Sequence, residues 1–296
     1  MSEGGQFKVT FETFLDTVKE AVDSEFSDGT TLKYKKITKN NGVEVTGAFL
    51  ERPDAPGRYQ LLYMEQVFGA LGEEPDPAAA VRLILDCLDT EVPKEVGSLS
   101  MASWDEVKDR VILRLVGREK NRERLESLVY EEVLDMAAVA CILFDGRTVG
   151  RGITEISRGM LESWKTDRET VLSAARENTP RLLPETLKTL REAAMIQAEE
   201  DGMDSLYVLS NTSTFCGAAA ILYSGKMRGL AEKYGKDILI LPTSIHETIL
   251  VPEGSFDVGF LRKALESVNA ADVPKEDVLT DSVYRYRRSD GEITIV

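Results

Sequence analysis

The chain carries one histidine, His246, in the string Ser244-Ile245-His246-Glu247 between two apolar runs. An imidazole at a tight strand-to-strand connection can serve as a general base, oriented by Glu247, with Cys216 or Ser244 as the nucleophile it activates. The same string also reads as a turn whose polar groups bond to local backbone. Cys216 follows the polar stretch Asn211–Thr214 and precedes Gly217, so it alone of the thiols has a setting open to solvent, although it reads better as a structural cysteine. Cys87 and Cys141 lie among apolar neighbours and read as core residues. Asn178-Thr179 is a polar pair ahead of Pro180, suited either to a substrate or to a helix C-terminus. Asn178, Asn211, Cys216, Ser244, His246 and Glu247 are therefore the candidate functional surface.

Other chemistries lack their residues. One histidine and three scattered cysteines do not make a zinc set, and no Asp-rich glycine loop suggests calcium, so no metal is expected. Gly225-Lys226 has no upstream glycine at phosphate-loop spacing and no Gly-x-Gly-x-x-Gly occurs, so no nucleotide cofactor is expected. The carboxylates are many, and no acid pair stands out among them.

Charge narrows the partners. The 296 residues include 36 Lys and Arg against 51 Asp and Glu, a net charge of −15, which repels phosphate backbones and anionic lipid. The densest basic stretch, Arg110–Arg124, is interleaved with Glu119 and Glu123 and reads as a solvated helix face. Neither nucleic acid nor membrane is expected as a partner, which leaves an unknown protein or small molecule. The start, MSEGGQFKVTFETF, has no leader-like apolar run, and the longest apolar stretch, Met136–Phe144, is far short of a bilayer span. With three cysteines, an odd and widely spaced set, the expected setting is cytoplasmic.

These residues must be positioned by a mixed α+β chain, helix-rich in its N-terminal and middle regions. Phe11, Phe14, Val18 and Val22 recur at helical spacing, so residues 10–24 read as an opening helix. Thr31–Thr38 and Val43–Glu51 read as strands joined through Asn40-Asn41-Gly42, since Asn-Gly supplies the positive φ angles of a tight hairpin. Tyr59–Met64 reads as a third strand, and Pro75 and Pro77 open a helix ending at Leu88. Residues 89–102 read as a linker. Val111–Val116 reads as a strand, Arg122–Cys141 as a helix, and 168–177 as a helix stopped at Asn178-Thr179-Pro180. Pro184 is expected to start another helix, running to about Glu200. From residue 201 the pattern is β-β-α-β-β-α: strands at Leu206–Ser210, Gly217–Tyr223, Ile238–Leu241 and Thr248–Val251, and helices at Gly225–Tyr234 and Asp257–Val268. The expected regions are 1–98, 99–200 and 201–296, with a single domain from 99 onward as the alternative.

Three strings carry a family resemblance: Lys39-Asn40-Asn41-Gly42-Val43, Glu177-Asn178-Thr179-Pro180, and Asn211 to Pro252 with its Gly217–Tyr223 and Leu241–Glu247 segments. Together and in this order they resemble an uncharacterised bacterial family labelled domain of unknown function 5688. Ile153–Asn178 is similar, more faintly, to another uncharacterised bacterial family, the YtpQ-like group. Neither resemblance brings an activity, cofactor or catalytic residue. The residues favour a non-enzymatic binding or regulatory protein that uses the C-terminal sheet module. The alternative is an enzyme of unrecognised class with its site around His246, Glu247 and Asn211.

Overall fold

In the computed structural model, which describes residues 9–54, 61–72, 76–88, 101–146, 150–194 and 205–296, the chain divides into two units. One comprises residues 1–39 and 43–99, the other residues 40–42 and 100–296. The architecture is mixed α+β with antiparallel sheets, as its residue patterns imply.

In the first unit, helix α1 (Phe11–Glu25) is N-capped by Thr10, whose hydroxyl accepts from the Thr13 N–H, and it buries Phe14, Val18 and Val22. Strands β1 (Thr31–Thr38) and β2 (Glu44–Glu51) pair in register, Thr31 opposite Glu51 and Thr38 opposite Glu44. Asn41 (φ 59°) and Gly42 (φ 70°) take the left-handed conformation that the turn demands. Only Leu62–Tyr63 of the expected third strand form β3 beside β2: Leu61 is outside the strand, Met64 opens the next helix, and 59–60 lie outside the described residues. Helices α2 (Met64–Ala70) and α3 (Pro77–Leu88) close this core through Met64, Val67, Ala80, Ile84 and Leu88. Most of the expected linker, residues 89–100, is also outside the described residues.

The second unit holds two further sheets. Strands β4 (Val111–Gly117), β5 (Tyr130–Val133) and β6 (Met136–Gly146) run in the order β4-β6-β5, and β7 (Gly150–Glu155) pairs with the far end of β6. The expected helix over Arg122–Cys141 is thus corrected to a helical turn at Arg122–Leu125 followed by two strands. Its apolar spacing resembled a helix because β6 is covered on both sides. Met136, Ala138, Ala140 and Ile142 enter one core, while Ala137, Val139, Cys141 and Leu143 enter another, leaving no polar alternation to betray the strand. The basic stretch Arg110–Arg124 is likewise not a single helix face; β4 runs through its middle.

Helix α4 (Arg158–Trp164) precedes α5 (Arg168–Leu182), which is capped by Asp167 and packs on β4. Contrary to expectation α5 does not stop at Asn178; it continues through Pro180. The missing N–H of Pro180 is tolerated because Asn178 and Thr179 anchor this turn to the start of β4: Asn178 Nδ2 donates to the Lys108 carbonyl at 2.7 Å, and Thr179 Oγ1 accepts from Leu113 N at 2.9 Å.

The second sheet has six strands. They are β8 (Glu185–Thr189), β9 (Tyr207–Asn211), β10 (Ile238–Leu241), β11 (Thr248–Pro252), β12 (Tyr284–Tyr286) and β13 (Ile293–Ile295), in the order β13-β12-β10-β11-β9-β8. Pro184 therefore introduces a strand rather than the expected helix; a short helical turn, Leu190–Ala194, follows it, and residues 195–200 lie outside the described set. Ile238, Ile240 and Leu250 face one core and Leu239, Leu241 and Val251 the other, as continuous apolar runs require. Helices α6 (Gly225–Tyr234), closed by left-handed Gly235, and α7 (Val258–Ala271), capped by Asp257, complete the unit.

One expected strand of this module is replaced. Gly217–Leu222 is a 3₁₀ segment, every residue of it from Gly217 to Ile221 buried. Its alanines lack the bulk that favours a pleated strand and allow the backbone to coil tightly against β9.

Candidate functional site

Strand β9 ends at Asn211, and the chain must turn sharply to place the buried 3₁₀ segment beside the β10–β11 connection. Asn211 organises that turn. Its Nδ2 donates to the Phe215 carbonyl at 2.8 Å, while its Oδ1 accepts from Ser213 N at 3.0 Å and Ser213 Oγ at 2.8 Å. Thr214 (φ 58°) and Cys216 (φ 55°) both take the left-handed conformation, unusual for residues other than glycine. Gly217 follows where nothing larger fits: a Cβ there would sit 2.1 Å from Ser210 Oγ and 2.2 Å from the His246 carbonyl.

The β10–β11 connection meets this loop. Ser210 Oγ donates to the His246 carbonyl at 2.8 Å, and Ala218 N to the Ile245 carbonyl at 3.2 Å. Ser244 Oγ accepts from the N–H groups of His246 (3.0 Å) and Glu247 (3.2 Å), folding the connection on itself. Ile245 is buried, and its N–H donates to the Asp277 carbonyl at 2.8 Å. The imidazole lies between the two loops. Its Nδ1 accepts from the Cys216 N–H at 3.3 Å, its Nε2 faces Asp277 Oδ1 at 3.6 Å, and the Phe215 ring stands 6.2 Å away.

Five of the six expected positions therefore converge: Asn211, Cys216, Ser244, His246 and Glu247 share one junction. The expected chemical relations among them do not form. His246 meets the backbone of Cys216, not its thiol, and the carboxylate at its other nitrogen is Asp277, not Glu247. Glu247 enters the junction through its backbone, donating to Ser244 Oγ and accepting from Ser244 N at 3.3 Å. Cys216 is buried, not exposed to solvent. Burial pushes it up to about 11, with Arg114 pulling the other way and Asp277 and Glu155 adding to the rise. Asn178 joins Lys108 and Arg181 instead, fastening α5 to the turn before β4.

Reading from sequence missed the charges around the junction. Arg114, in the middle of β4, lies opposite Val139 of β6, and Glu155, at the end of β7, lies opposite Cys141. Both charges stand on the same face and reach across β6 to one another, Arg114 Nη1 donating to Glu155 Oε1 at 3.3 Å. Arg124 Nη2 donates to the same oxygen. The one available signal was Arg114 itself, a charged residue amid the apolar run Val111–Val116. Among the described residues no group of three metal-ligating side chains converges.

Two antiparallel sheets with a loop junction at the end of β9 and the start of β11, flanked by a mostly buried Arg–Glu–Arg cluster, define an α+β protein with a polar centre in its second unit. The chain belongs to a family of unknown function (DUF5688), whose sequence model matches residues 11–288. The fainter YtpQ-like resemblance has no counterpart in this match. No curated protein and no solved structure matches the chain. No helix among the described residues is long and apolar enough to cross a membrane.

Proposed function

We propose that this is a non-enzymatic binding or regulatory protein of the cytoplasm that uses the junction end of its C-terminal sheet module as a recognition surface. One observation carries the reading: each candidate catalytic atom is bonded to, faces or is buried among the protein's own groups. Both His246 nitrogens face protein groups, Ser244 Oγ accepts two backbone N–H donors, and the Cys216 thiol is buried. A general base needs a nitrogen within reach of substrate, and a thiol nucleophile needs exposure and a lowered pKa. The two left-handed residues in the 211–217 loop support a functional surface, because backbone strain of this kind concentrates at binding and switch sites. The thiols of Cys141 and Cys216, neither in a disulfide, accord with the reducing cytoplasm.

Alkylation tests the reading. Iodoacetamide at neutral pH should leave Cys216 unmodified in the folded protein and modify it only in denaturant, with half-exposed Cys87 as the internal comparison. Native alkylation of Cys216 as fast as that of a free thiol would restore the enzyme alternative around His246.

A further inference from the structure

The Arg114–Glu155–Arg124 cluster is unbalanced. Two guanidiniums converge on one carboxylate oxygen, leaving one positive charge in excess where the side chains are only 11% (Arg114), 15% (Glu155) and 27% (Arg124) exposed. A guanidinium offers five N–H donors. Among the described residues Arg114 uses one of them, and its Nε is wholly buried with no acceptor. Arg124 bonds Glu155 and, at 3.4 Å, Asn121 Oδ1. Structural ion clusters are satisfied in both charge and hydrogen bonds, because an unpaired buried charge is costly. This one is satisfied in neither. The cluster adjoins the junction, since Phe215 of the 211–217 loop packs with Ile112, Val116, Val139 and Cys141 on the face of β4 and β6 that carries Arg114.

We infer that Arg114 and Arg124 form a subsite for a small oxyanion, a carboxylate or phosphate group, entering from the side of the more exposed Arg124. The inference rests on the binding reading above and gives its ligand a chemical class. Planar forked donors match the oxygens of both groups, and each N–H engaged by an anion gains a charge-assisted hydrogen bond. Glu155 holds the two arginines side by side when the subsite is empty.

Removing Glu155's charge supplies a test that a purely structural role fails. Glu155→Gln should melt lower than the native protein in chloride. At equal ionic strength, inorganic phosphate or acetate should raise its melting temperature more than that of the native protein, with about tenfold tighter anion binding, the scale of one charge-assisted contact. Arg124→Gln should abolish the anion response, and Arg124→Lys, which keeps the charge without the fork, should weaken it about tenfold. Arg118→Gln, which breaks only the exposed pair with Glu132, should respond like the native protein. A stronger response to phosphate would mark a phosphorylated ligand, and a stronger response to acetate a carboxylate ligand. Equal shifts in Arg124→Gln and Arg118→Gln would mean nonspecific screening and overturn the subsite. No shift in Glu155→Gln would mean that water supplies the missing acceptors, and would also overturn it. Should Glu155→Gln fail to fold, the native protein, Arg124→Lys and Arg118→Gln carry the same test. Loss of the subsite leaves the Cys216 alkylation result, and the non-enzymatic reading it tests, unaffected.

Discussion

The junction of the 211–217 and 244–247 loops and the Arg114–Glu155–Arg124 cluster are neighbours that satisfy their polar groups in opposite ways. At the junction, polar side chains are bonded to backbone groups: Asn211 to residues 213 and 215, Ser210 to the His246 carbonyl, Ser244 to residues 246 and 247, His246 to Cys216. In the cluster, side chains are bonded to one another and donors remain unmatched. A region whose hydrogen bonds close internally holds a shape. A region that leaves a buried charge unmatched retains capacity for a ligand. The residues that looked chemical in sequence belong to the first kind, and the residues with capacity to bind belong to the second.

The largest expected effect falls on the junction's shape. Gly217→Ala would place a methyl group 2.1 Å from Ser210 Oγ and 2.2 Å from the His246 carbonyl, the latter a backbone atom of a packed connection. Overpacking of this kind costs roughly 1–3 kcal/mol, and the upper end is expected where backbone must move. Urea denaturation should show that loss, and the anion response of the cluster should survive in whatever fraction stays folded. A loss below ~0.5 kcal/mol would mean that the two loops are not wedged together and that the junction is no more closed than the cluster.

A smaller effect probes the buried thiol. Cys216 is raised from 9.0 to about 11 by burial, with the charges of Asp277 and Glu155 adding to the rise and Arg114 opposing it. For a group raised in the folded state, the stabilising contribution is fully present below the unfolded value and lost as pH climbs through the folded one. Here that window runs from about pH 9 to 11. Cys216→Ala should therefore flatten the alkaline fall in stability by up to ~3 kcal/mol across that window, at ~1.36 kcal/mol per pH unit. The slope is the diagnostic quantity, because loss of the sulfur also changes packing at every pH. An unchanged slope would mean that the thiol meets solvent, bringing the junction closer to a reactive site.

How much of this was legible in sequence depends on whether a residue's neighbours in the chain are its neighbours in space. The hairpin at Asn41-Gly42, α1, α6, β10 and β11 follow from local pattern, whereas the meeting of Cys216 with His246 had only their place after strands of one module to suggest it. Strand β4 was legible at Val111–Val116, but β5 and β6 were hidden because β6 is apolar on both faces and has no period to read. Arg114 and Glu155 are 41 residues apart, and only the register of β6 with both its neighbours brings them together. Asn178 looked like a helix end because Pro180 follows it. Its anchoring bond to Lys108 lies 70 residues away.

The smallest effect separates structure from catalysis at the junction. Ser244 Oγ accepts the N–H groups of His246 and Glu247 at 3.0 and 3.2 Å, and the residue is half-buried, so water can replace part of what Ser244→Ala removes. The expected loss is about 1 kcal/mol, one net hydrogen bond, read from a change in urea midpoint at unchanged slope. The amides of His246 and Glu247 should exchange with solvent faster, since they lose their acceptor while the rest of β11 keeps its ladder. A nucleophile would give the reverse pattern, with stability and exchange unaltered by the missing hydroxyl and only turnover lost. Faster exchange at those two amides would thus assign Ser244 to holding the connection that carries His246, and leave the neighbouring arginines as the part of the surface with donors to offer.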